Sequence, residues 1–335
     1  VSKKLIVFMI IFSLFFLTIL TACSKEDKEV TTLRVGEVTR SIFYAPQYVA
    51  LSQGFFEEEG LEVELATTWG GDKTMTTLLA GGIDIALVGS ETSIYVYQQG
   101  ADDPVINFAQ LTQTDGSFLV SRKEITSFDW ELLKGNTFLG QRIGGMPQMA
   151  GEFTLKKQGI DPHNDMELIQ NIEFANIASA FASGTGDFVQ LFEPTATVFE
   201  QEGIGYVVAS FGIESGHLPY TVYMSKNSFI KNNKDAIQKY TNAIHRAQKW
   251  VENSSIEQIR TAISPYFEDI DEEIIELVID RYRVQGSYAT DPIVDEDEWN
   301  NLLDVMIEAG ELEDRASHQI LVNNSFAKNA IDNQE

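Results

Sequence analysis

Carboxylates, aromatic rings and glycines gather in this chain where an apolar strand-like segment gives way to a helical one. Tyr44 follows the first such segment, and Trp69-Gly70-Gly71-Asp72 follows the second. Gly89-Ser90-Glu91-Thr92 follows the third, and Gly144-Gly145-Met146-Pro147-Gln148 and Phe192-Glu193-Pro194 take the same position further on. Glycines let backbone N–H groups approach a ligand closely. Ionised Glu91 and Glu193 only accept hydrogen bonds and would repel an anion. Against an amine or an amidine-like ring edge they would form charge-assisted bonds, roughly twice as strong as neutral ones. Tyr44, Trp69 and Phe192 could stack on a flat ring. Arg142, near the end of its strand, argues the other way, because a guanidinium can fork a sulfonate or carboxylate.

Plainer explanations compete at each position. Gly70-Gly71 suits an ordinary turn, Asp72 and Ser90 suit helix N-caps, and Glu91 and Glu193 suit the first turn of a helix dipole. Tyr44 and Trp69 suit core packing. Catalysis finds less support. His163, His217, His245 and His318 are far apart with no His-x-x-x-His spacing, and no Gly-x-Ser-x-Gly elbow is present. Neither a metal nor a cofactor is expected.

The elements that must position these residues alternate, which is the signature of an α/β fold with largely parallel sheets. Strands are predicted over 33–38, 61–66, 83–88, 106–111 and 117–120, with helices over 45–53, 72–79 and 90–99 between them. The alternation restarts with strands over 138–143, 166–170, 188–191, 206–210 and 221–224. Helices over 148–157 and from Pro194 to Glu200 accompany them, proline being tolerated in a first turn. Beyond 231 the pattern is mainly helical, over 236–251, 256–262, 272–283 and 296–309.

The chain carries 44% hydrophobic and 11% aromatic residues and a formal charge of -26, the composition of a packed globular protein. So acidic a surface repels nucleic acid. Its one cysteine, Cys23, allows no internal disulfide. Lys3 and Lys4 precede an apolar run that ends in Leu20-Thr21-Ala22-Cys23, the layout of a secretory signal. It resembles a bacterial lipoprotein signal, which implies removal of 1–22, a lipid on the Cys23 thiol and a place outside the cell membrane. A transmembrane anchor is the competing reading. Residues 23–32 read as a polar linker.

Several stretches in fixed order resemble the solute-binding proteins of bacterial ABC importers, in the subgroup that handles sulfonates, taurine, nitrate and thiamine pyrimidine precursors. They are Tyr44-Ala45-Pro46, Gly54-Phe55-Phe56-Glu57-Glu58-Glu59-Gly60-Leu61, Gly70-Gly71-Asp72, Leu79-Ala80-Gly81-Gly82-Ile83-Asp84 and Phe192-Glu193-Pro194. The resemblance implies a two-lobed clamshell of the type II periplasmic binding kind with a helical C-terminal tail. Lobe one would hold 33–117, lobe two 121–218, with crossings at 118–120 and 219–224 and a return to lobe one over 225–335. The corners above would then face one cleft, with Ser90, Thr92, Met146 and Gln148 among the contacts and Tyr220 added from the second crossing. The implied partners are a small molecule, a permease and its ATPase, and the membrane through the lipid. A monomer is expected. The two carboxylates tip the ligand toward a nitrogen-bearing heterocycle such as an aminopyrimidine; a sulfonate, taurine or nitrate is the alternative. A surface sensor or a pyrimidine-related enzyme on the same fold are rivals, although the enzyme's cysteine-rich motif is missing.

Overall fold

In a computed structural model, which describes residues 30–333, the alternation Leu61-Glu62-Val63-Glu64-Leu65 becomes an edge strand with one wet face. The leader, Cys23 and most of the linker lie outside the described residues. The strands, in order, are β1 Thr31–Glu37, β2 Leu61–Thr67, β3 Ile85–Gly89, β4 Val105–Thr112, β5 Ser117–Ser121, β6 Thr137–Leu139, β7 Glu167–Ile169, β8 Phe188–Phe192, β9 Tyr206–Ser210 and β10 Thr221–Lys226.

They form two five-stranded sheets, ordered β2-β1-β3-β10-β4 and β7-β6-β8-β5-β9. Within each, four strands run in one direction, three of them paired side by side through helical crossovers, and one strand runs antiparallel to both its neighbours. The odd strands are β5, the first laid down in lobe two, and β10, the one that returns to lobe one. Each arrives from the other lobe, so it enters its sheet from the opposite end. β4 is buried along its whole length, as a strand covered on both faces must be.

This topology moves the crossings. Residues 118–120 lie inside β5, paired with Val189–Leu191 of β8, and 221–224 lie inside β10, paired with β3. The chain therefore passes between sheets at 113–116 and 216–220. The sequence pattern places strands at 117–120 and 221–224; what it does not show is that each pairs inside a sheet with strands distant in sequence, so that the crossings fall in the segments just before them.

The tail also departs from a simple return to lobe one. The helix Lys234–Asn253 does pack on lobe one, burying Ile237, Tyr240, Ile244, Ala247 and Val251, an i, i+3, i+7 stripe. The helix Glu272–Gln285 instead touches both lobes. Tyr282 donates to the Gly116 carbonyl at 3.0 Å, and Arg281 pairs with Glu193 at 2.8 Å and with Glu200. The helix Glu296–Glu308 reaches lobe two as well, where Lys156 donates to the Glu308 carbonyl at 2.8 Å.

Candidate functional site

The C-terminal ends of β1 and β3, from lobe one, face the start of the helix Met146–Lys157 and the end of β8, from lobe two, across a cavity of about 420 Å³. That volume suits a small organic molecule. Its walls are largely aromatic and aliphatic, with Tyr44, Tyr95, Phe174, Phe192 and Tyr220 among them. Phe43 ties this wall together, 5.8 Å from Tyr44, 6.3 Å from Phe192 and 5.7 Å from Tyr220 between ring centres.

Glu91 is the ionisable group at the heart of the wall. It is the first residue of the helix Glu91–Gln98, straight after β3, and only 4% exposed. Its Oε1 accepts from the Met146 backbone N–H of the other lobe at 3.3 Å, and the backbone N–H groups of Glu91 and Thr92 also stabilise the carboxylate. Oε2 has no hydrogen-bond partner. Burial outweighs these donors and pushes the Glu91 carboxyl up to about 7. Burial likewise pushes the Tyr44 and Tyr220 phenols up, and the nearby negative charge of Glu91 adds to the effect on both. The Tyr220 hydroxyl also feels the buried Asp115 carboxyl in the first crossing.

The lobes meet at the rim. Arg142 pairs with Asp72 across the mouth at 2.9 Å and, on its other side, with Glu173 of its own lobe at 2.9 Å. Tyr95 donates to the Gly144 carbonyl at 3.1 Å, and Ser41 donates to the Glu193 carbonyl at 3.0 Å. These contacts make this a closed cleft.

Of the twelve residues expected from the sequence as ligand contacts, eight line the cavity: Tyr44, Gly70, Gly71, Glu91, Thr92, Arg142, Met146 and Tyr220. Four do not. Glu193 is 2% exposed but turns away, accepting from the Thr197 N–H and hydroxyl at 2.9 Å each and from Arg281; it caps the helix Thr195–Gln201. Gln148 spends its amide on the Gly144 N–H and on Glu152. Ser90 donates to the Pro219 carbonyl at 2.5 Å, tying β3 to the second crossing. Trp69 is 52% exposed and has φ 60°, a left-handed backbone that is uncommon for a bulky residue; it is not among the residues that line the cavity. Arg142 lines the mouth, but both its partners are carboxylates, so it offers an anion no free positive charge.

The sequence reading overlooked Tyr95, Phe174 and Ser41. Tyr95 was within reach, since it lies one helical turn beyond Glu91 and so on the same face. Phe174 belongs to a three-residue helical turn, Phe174–Asn176, with no period to read.

Comparison with known proteins gives a family and a fold. The profile of the NMT1-like family matches residues 26–264. A Bacillus subtilis (strain 168) protein, YtlA, to which a binding role is ascribed, is 60% identical over 316 residues, 94% of each chain. Among solved structures, the alkanesulfonate-binding protein SsuA from Xanthomonas axonopodis pv. citri, bound to MOPS, superposes with a TM-score of 0.72 at 15% identity, covering 89% of this chain and 99% of that one. A desulfurization enzyme superposes with a TM-score of 0.65 at 13% identity, covering 91% of this chain and all of the enzyme, 100%. At such identities the likeness is one of fold: two lobes of the periplasmic binding kind, which hosts both binders and a catalyst.

Proposed function

The chain belongs to the NMT1-like family, and on that footing we propose that it is the extracytoplasmic solute-binding component of an ABC importer, held to the membrane through lipid on Cys23. It captures a small nitrogen-bearing organic molecule, with an aminopyrimidine as the type, by closing two lobes over it and passing it to a permease. The binding role of its 60%-identical relative supports the first part. One observation carries the second: a buried carboxylate with an unpartnered oxygen, set among aromatic rings, in a cavity of ligand size. An N–H donor would give the Glu91 carboxylate a charged partner, and a flat ring would pack between Tyr44, Tyr220 and Phe192. Among the described residues no helix is long and apolar enough to cross a membrane.

Closure follows from contacts made by both lobes to one ligand, since a ligand shifts an equilibrium only through its differential affinity for the two states. X-ray scattering of the chain titrated with aminopyrimidines should show compaction on saturation; an unchanged radius with a bound ligand would overturn the clamshell mechanism. Glu91→Gln should weaken such a ligand by about 1.5–3 kcal/mol, the contribution of a hydrogen bond to a charged group. Calorimetry that finds equal affinity for the variant would remove Glu91 from the ligand's contacts.

A further inference from the structure

Glu91 lies where two helix beginnings converge. Its carboxylate sits over the first backbone N–H groups of its own helix in lobe one and takes another N–H from Met146, the first residue of the lobe-two helix Met146–Lys157. Helix beginnings present free N–H groups and a positive dipole end, which is a ready seat for an anion. Here the seat is occupied from within. The occupant is 4% exposed, and one of its oxygens has no partner. Gly89 supplies the space: a side-chain carbon at that position would collide with both Glu91 carboxylate oxygens. Arg142, the one Lys or Arg among the described cavity residues, is held at the mouth between Asp72 and Glu173.

We infer that Glu91 sets the charge class of the ligand: its carboxylate fills an anion seat shared by the two lobes, so the cleft takes a ligand that donates N–H or carries positive charge. With that side chain removed, the same seat accepts an external anion such as an alkane sulfonate. The inference rests on reading the cleft as a solute site, and it does not depend on which nitrogen compound is the natural ligand.

The test is calorimetric titration of the full chain in detergent at pH 8 with two probes, ethanesulfonate and 4-aminopyrimidine. Wild type is compared with Glu91→Ser, which empties the seat, and Glu91→Gln, which keeps it filled without charge. Ethanesulfonate should bind Glu91→Ser at least about tenfold more tightly than wild type, the equivalent of one hydrogen bond to a charged group. Glu91→Gln should gain no sulfonate affinity and should lose 4-aminopyrimidine affinity. Wild type that binds ethanesulfonate as tightly as the serine variant overturns the inference, as does a folded serine variant that gains nothing. Should the serine variant fail to fold, the glutamine variant decides, and undiminished aminopyrimidine binding by it overturns the inference. A serine variant that gains the sulfonate while wild type binds no nitrogen compound would leave the seat standing and refute the proposed ligand instead.

Discussion

At the scale of single residues, the cleft is organised around an acid kept from water. A carboxylate whose folded-state value is raised to about 7 from 4.5 favours the folded chain most when protonated. Its contribution is fully present below the unfolded value and disappears as pH rises through the folded one. The buried Asp115 carboxyl, pushed up to about 6 by burial, acts in the same direction. The ligand-free protein should therefore lose thermal stability between about pH 4.5 and 7, by on the order of 3 kcal/mol from Glu91. Glu91→Gln should flatten that decline without abolishing it, because Asp115 remains. Melting curves across this range check it; a ligand-free protein that gains stability over the same interval would contradict the environment drawn for Glu91. A donor ligand reverses the balance by giving the charge a partner, so its affinity should climb as pH rises toward 8.

At the scale of elements, Glu193 shows how a residue can be read correctly for place and wrongly for task. It does stand at the end of β8, beside the cavity-lining Phe192, as its sequence position implies. Which way its side chain points depends on Arg281, 88 residues later on a tail helix, and no local pattern announces that partner. Removing one member of a buried ion pair costs roughly 3–5 kcal/mol. Arg281 is partly open to solvent, which screens the pair, so Arg281→Ala should cost about 2–3 kcal/mol, below that range. Glu193→Gln should likewise reduce stability while leaving ligand affinity intact, and a large loss of affinity in a folded Glu193→Gln protein would return this residue to the cleft. The strands and lobe-one corners were legible because each combines a period with a glycine or a cap at its end. The crossings were not, since the pairing of β5 and β10 with strands distant in sequence is a long-range fact. Nor was the division of the carboxylates into one that faces the cavity and one that caps a helix. Gly89 and Glu91, two residues apart, carried the decisive geometry in plain view, but only coordinates reveal that the side chain folds back over the glycine.

At the scale of the whole molecule, closure is shared among contacts of unequal strength. The Asp72–Arg142 bridge spans the mouth with both side chains well exposed, and exposed pairs are worth about 0–1 kcal/mol. Deeper in, the Glu91–Met146 contact and the Tyr95–Gly144 hydrogen bond are shielded, and the crossings are clasped from behind. Gln285 donates to the Asp115 carbonyl at 2.6 Å and Tyr282 to that of Gly116 at 3.0 Å, so the tail helix Glu272–Gln285 grips the first crossing, about which the lobes would turn. Rim and hinge should thus separate in experiment. Asp72→Ala or Arg142→Ala should enlarge the scattering radius of the ligand-free protein by favouring the open form, yet weaken ligand binding by less than about tenfold, as an exposed pair allows. Gln285→Ala, which loosens the pivot without touching the cavity, should change the rates of capture and release more than their ratio. If instead the rim variants abolish binding, the mouth bridge would be part of ligand recognition, and the inner contacts would be too weak to hold the lobes together.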